Sequence, residues 1–161
     1  MYSKFGELDS AREINELAEN LFNEGDFESI KALSKENGIP EEFADAYLNG
    51  ETEELCDAMT AALGKLEVEE EELKLKGIMI DWTAYIKNQA MENDLLCHQI
   101  RKKSKSLKAC IGALLAWSFK NQQQIPQDII KAAGVSAGRV TLGIPDMGTA
   151  KKLIREYYLE G

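Results

Sequence analysis

The chain is predicted to be all-α, a short acidic helical array followed by a larger C-terminal helical unit, and three observations predict it. Apolar residues recur at three- and four-residue spacing in one segment after another, Ser, Asp or Pro opens several of these segments, and Gly or Asn-Gly closes them. Charge then divides the chain: residues 1–73 hold 21 acidic and 5 basic side chains, net −16, whereas residues 74–161 hold 7 and 14, net +7, within a formal charge of −9. Only 140–144, Val140 to Ile144, reads as extended.

Ser10 and Glu13 have capping-box spacing, and Ile14, Leu17, Ala18 and Leu21 mark one face of a helix over 11–24 that stops at Gly25. Asp26 caps a second helix with Phe27, Ile30 and Leu33 inward, closed by Asn37-Gly38. Pro40 opens a third, with Phe43, Ala44, Tyr47 and Leu48, ended by Asn49-Gly50. Thr52 is the expected cap of a fourth, whose face is Leu55, Cys56, Met59, Ala62 and Leu63 and whose expected stop is Gly64. Short turns between such helices imply antiparallel neighbours.

The expected domains are therefore 1–66 for the acidic array, 67–76 for an acidic linker or solvated helix, and 77–161 for the second helical unit. That unit opens with a helix over 77–93, carrying Ile78, Ile80, Trp82, Tyr85, Ile86, Ala90 and Met91, and a shorter one with Leu95, Leu96 and Ile100. The longest apolar signal follows. Ser106 caps it, Leu107, Cys110, Ile111, Leu114 and Trp117 form one row and Leu115 and Phe119 a second, so this helix is expected to be buried on most of its circumference. Ile129, Ile130 and Ala133 follow Pro126 in a short helix ending at Gly134, and a terminal helix over 149–159 turns Ala150, Leu153, Ile154 and Tyr157 inward.

Composition excludes several classes. Cys56, Cys97 and Cys110 are odd in number and far apart, which points to reduced core thiols rather than a disulfide framework or zinc site. No run approaches the roughly 18 apolar residues of a membrane span, and no signal-peptide pattern opens the chain, so a cytoplasmic protein with no membrane partner is expected. His98 is the single histidine and has no nucleophile motif around it; a non-catalytic protein without metal or cofactor is expected.

Charge leaves binding as the functional class. Arg101, Lys102, Lys103, Lys105 and Lys108 place five cations within eight residues, either as a patch for a phosphate backbone or as an inward partner for the acidic half. Glu69, Glu70, Glu71 and Glu72 form the most acidic run, a candidate contact for a cationic partner. The segment AAGVSAGRV (132–140) has the glycine turn and capping serine of a helix-turn-helix, but Gly143 and Pro145 cut the second helix too short to cross a major groove. The segment IPDMGTAKKLI (144–154) resembles the hairpin of helix-hairpin-helix modules, which makes Gly148, Thr149, Lys151 and Lys152 a candidate phosphate-binding set. Asp146 stands where the first hairpin glycine would be, so an ordinary capped helix start is the alternative.

The stretch NQAMENDLLCHQIRKKSKSLKACIGALL (88–115) is similar to the PcfK-like family of mobile-element proteins, which includes anti-CRISPR inhibitors of the RNA-guided nuclease of type II systems. The similarity is carried by Gln89-Ala90 before an acidic pair, Leu95 and Leu96, then Lys105, Leu107, Cys110 and Ile111, and it covers roughly 78–120. It implies a small non-catalytic inhibitor that binds the nuclease in a host bacterial cell and blocks DNA engagement. The alternative is a DNA-binding accessory protein of a plasmid or phage that uses the basic C-terminal half.

Overall fold

A computed structural model describes residues 3–161. The fold is all-α, and among the described residues nine α-helices accompany one two-stranded ribbon. Helices α1 (Ala11–Asn23), α2 (Phe27–Glu36) and α3 (Glu41–Leu48) form the acidic array. Ser10 Oγ accepts from Glu13 N–H and so satisfies one orphan donor at the start of α1, and Glu13 Oε2 accepts from Asp9 N–H, one residue before the cap. Helices α1 and α3 close in the same way, with Gly25 and Gly50 at φ 75° and 76° in the left-handed region that glycine enters at little cost. The buried faces, Ile14, Ala18 and Leu21 from α1 with Ile30 and Leu33 from α2, meet Ala44, Leu55 and Cys56 in one apolar cluster. Each such fully buried leucine or isoleucine contributes roughly 1.5–3 kcal/mol relative to exposure.

The fourth helix departs from expectation at both ends. Helix α4 runs Ala58–Leu73, capped by Asp57, whose side chain accepts from Thr60 N–H at 2.7 Å; Thr52 lies upstream of it. It does not stop at Gly64, and the acidic run continues it as helix. The glycine is there for packing: a Cβ on Gly64 would lie 2.2 Å from Asn37 O, and one on Gly38 would lie 2.3 Å from Gly64 O. Backbone of the α2–α3 turn therefore rests directly on α4, which only two glycines permit.

Helix α4 also joins the two apolar clusters, giving Ala61 to the first and Ala62 and Leu66 to the second. The second is built from α5 (Ile78–Ala90), α6 (Asp94–Arg101), α7 (Leu107–Lys120) and α9 (Met147–Arg155), which runs on into a π-helical turn, Glu156–Glu160. Trp82, Ile86, Ile100, Leu107, Leu114, Ile154 and Tyr158 are its large buried members.

The centre of the molecule is thus α4 and not α7. Only Leu107, Cys110 and Leu114 of α7 are buried, and Leu115 and Phe119 are 55% and 75% exposed, so the second apolar row faces outward. Ile78, Ile80 and Met91 around α5 are exposed too. Between α7 and α9 the chain makes β1 (Gln123–Gln124), α8 (Gln127–Ala132) and β2 (Thr141–Leu142), with β1 antiparallel to β2. The extended segment at 140–144 supplies β2, whose partner is the glutamine run that closes α7.

Candidate functional site

The five cations of 101–108 do not act as one patch. Arg101 is 1% exposed at the C-terminus of α6, where Nε donates to Leu8 O and Nη1 to Ala61 O, each at 3.2 Å, and Nη2 donates to Asn37 Oδ1. It ties the array, α4 and α6 together. Lys105 donates to Tyr157 O at 2.7 Å and Gly161 O at 3.0 Å, capping the π-helical turn whose carbonyl end favours a cation. Lys102, Lys103 and Lys108 are exposed.

The backbone beneath them is clamped as well. Lys65, itself 1% exposed on α4, donates to Lys102 O and Lys105 O at 2.7 and 2.8 Å and pairs with Glu7 at 3.1 Å. Lys103 N–H donates to Asp9 Oδ1, and Ser106 N–H to Tyr157 Oη. A buried lysine satisfied this way holds the loop in one shape, because leaving it would orphan the ammonium in a dry site.

The acidic run divides similarly. Glu69 Oε2 accepts from Leu107 N–H at 2.7 Å at the start of α7, while Oε1 is buried without a hydrogen-bond partner. Burial pushes its carboxyl above the ordinary range, against the opposing pull of the Leu107 bond. Glu70, with Glu67, pairs with Lys87. Burial alone would lower the Lys87 ammonium, but the two carboxylates outweigh it and raise it. Glu71 and Glu72 are exposed. Acidic run and basic cluster meet in a cleft of about 250 Å³ that Glu7, Glu69 and Glu72 line opposite Lys103, Lys105 and Lys108.

The hairpin-like set lies at the start of α9, where Asp146 is the N-cap without a side-chain cap bond and Ala150 N–H donates to Asp146 O. Lys151 stands over the Tyr85 ring, 5.3 Å from its centroid, and Lys152 is 3.9 Å from Glu156. Gly148 and Thr149 therefore share the helix start with a carboxylate, and both lysines face away toward partners of their own.

The acidic array holds a groove of about 720 Å³ between α1 and the strap over residues 50–57. Its α1 wall is one helical stripe, Arg12, Asn15, Glu16, Glu19 and Phe22, which borders the buried face of Ile14, Ala18 and Leu21. Asn15 fixes the far wall: its amide donates to Cys56 O at 2.9 Å and accepts from Cys56 N–H at 3.0 Å. Glu53, Glu54 and Asp57 line that wall, and Phe22 and Tyr47 close one end edge-to-face with ring centroids 5.7 Å apart. Burial, with Glu19 adding, pushes the Tyr47 hydroxyl pKa up. His98 stands at the rim, 3.3 Å from Asp94. Of these groove residues the sequence marks out Tyr47, Cys56 and His98, and none of them as part of a groove. The signal for one wall was present, since Phe22 interrupts an otherwise polar helical face; the other wall exists only through the Asn15 clamp.

The cysteines are free and buried, and burial pushes the thiols of Cys56 and Cys110 up to about 12. Among the described residues no three His, Cys, Asp or Glu side chains are placed to hold a metal ion, and no helix is long and apolar enough to cross a membrane. No family model matches the chain, and no curated protein or solved structure matches it.

Proposed function

We propose that this protein is a non-catalytic inhibitor of the anti-CRISPR type, which binds the RNA-guided nuclease of a type II system and prevents its engagement of DNA. The observation that carries the reading is the acidic array. Apart from half-buried Glu36, which accepts from Ser3, Lys4 and Phe5, the carboxylates of 13–57 are solvent-exposed, and among the described residues the one ion pair they make is Arg12–Glu16 at 2.9 Å. Such nucleases hold nucleic acid in positively charged channels, and an acidic helical surface competes for that field. The similarity of 78–120 to the PcfK-like family supports the same reading. Glu69 and Glu70 serve the fold, which leaves the exposed Glu71 and Glu72 of that run as contacts alongside the array.

The test is target cleavage by a guide-loaded type II nuclease with the full chain titrated in, together with a pull-down with and without guide RNA. Dose-dependent loss of cleavage is expected; a chain that neither binds nor inhibits refutes the proposal. The accessory-protein reading is favoured by the exposure of Lys102, Lys103 and Lys108. It requires a salt-dependent shift of duplex DNA whose log–log salt slope falls by roughly 0.9 for each phosphate-contacting lysine replaced by alanine.

A further inference from the structure

We infer that the groove between α1 and the 50–57 strap is a docking site for an arginine-bearing basic segment of a partner protein. The inference deepens the inhibitor reading, since it rests on the acidic array being the contact surface and names what that surface grips.

Shape, charge and aromatic content agree on this occupant. The groove is large enough for several side chains, and the Asn15 clamp on Cys56 fixes its walls before anything binds, so little ordering is lost on association. Glu16, Glu19, Glu53, Glu54 and Asp57 line it, against Arg12, which Glu16 already engages. That balance repels phosphate. It also disfavours an apolar helix, which would have to strip water from those carboxylates without returning a counter-charge.

Phe22 and Tyr47 decide between the cations. Phe22 is 38% exposed, and the pair presents a corner of ring surface beside Glu19. A guanidinium stacks on a ring while its edge forks to a carboxylate, whereas a lysine ammonium is more strongly hydrated and cannot fork. An aromatic corner flanked by carboxylates is therefore a place for arginine.

The test titrates the full chain into a fluorescein-labelled short peptide with arginine at alternate positions, with the all-lysine peptide alongside, read by anisotropy at about 150 mM salt. The arginine peptide is expected to bind several-fold tighter than the lysine peptide. The double variant Glu19→Gln/Glu54→Gln should raise its Kd about tenfold, and Phe22→Leu should weaken the arginine peptide several-fold while leaving the lysine peptide unchanged. Glu41→Gln/Glu42→Gln, exposed on α3 outside the groove, should change neither. Equal weakening by the α3 pair and the groove pair would reduce the effect to the general field of an acidic protein and overturn the site. Loss of arginine preference without any Phe22 effect would overturn it too. Self-association of the parent chain that the groove variants abolish would make the occupant a second copy. The inhibitor reading fails separately: a chain that grips the peptide but leaves nuclease cleavage intact keeps the groove and loses the inhibitor, and the reverse result does the opposite.

Discussion

Replacing Arg101 separates the architectural role of the basic cluster from a role in binding. Its guanidinium is 1% exposed and donates to Leu8 O, Ala61 O and Asn37 Oδ1. Hydrogen bonds from a charged donor contribute about 1.5–3 kcal/mol each, but three bonds from one group are not additive once water enters the vacated space. Arg101→Ala is therefore expected to cost about 3–5 kcal/mol, because three buried acceptors lose their donor at about 1–3 kcal/mol each, less than additively. A loss of about 4 kcal/mol lowers Tm by roughly 8–16 °C at this chain length. Urea titration followed by far-UV circular dichroism, with the slope m unchanged, reads the free energy directly. Lys102→Ala, one residue on and exposed, should stay within about 0.5 kcal/mol of the parent. If Arg101→Ala remained within about 1 kcal/mol of the parent while DNA affinity fell, Arg101 would belong to a binding patch and the structural account would be wrong.

Three further outcomes follow from the packing and the titrating groups. Gly64→Ala should destabilise by about 1–3 kcal/mol or more despite the better helix propensity of alanine, because its Cβ meets Asn37 O; Gly112→Ala on α7, with nothing within 4 Å, should stabilise by about 0.5–1 kcal/mol, and urea midpoints should move in opposite directions. Glu69 is raised above 4.5 in the folded chain, so in the window above 4.5 the folded state holds more of its proton than the unfolded state, and this group's contribution to stability falls as pH rises. Glu69→Gln should flatten that decline above pH 4.5, judged from parallel urea titrations, and an unchanged pH profile would contradict it. The thiols of Cys56, Cys97 and Cys110 should react with a disulfide reagent only after denaturation, and rapid reaction of any of them in the native chain would contradict their burial.

The array was legible in the sequence because its signals are local. Ser10, Asp26, Gly25 and Gly50 act within one helical turn of themselves, and the alternation of apolar and polar faces in α1 and α2 needs no partner to be read. Gly64 misled for a related reason. A glycine that ends a helix and one that lets another backbone approach are the same residue in sequence, and the 2.2 Å that Asn37 O would leave a Cβ is set by a segment 27 positions away. The apolar length of α7 likewise announced a helix but not which side would be covered, and its second row emerges at Leu115 and Phe119 because α4 and α9 pack against the first.

Composition and periodicity by themselves determined that this protein is helical, that its halves carry opposite charge, and where most helices begin. Tertiary structure alone decided what the charges do. Arg101 and Lys65 are drawn inside because backbone carbonyls of distant segments converge on them, and Lys105 closes the C-terminal turn, so a run that reads as one cationic patch becomes two separate clamps, Arg101 and Lys105, and three exposed lysines. The carboxylates of α1 stay in water because the other wall of their groove, held by Asn15, brings more carboxylates rather than cations. Spacing along a chain sets which residues share a helical face, but the partner of each charge depends on which distant backbone folds against it.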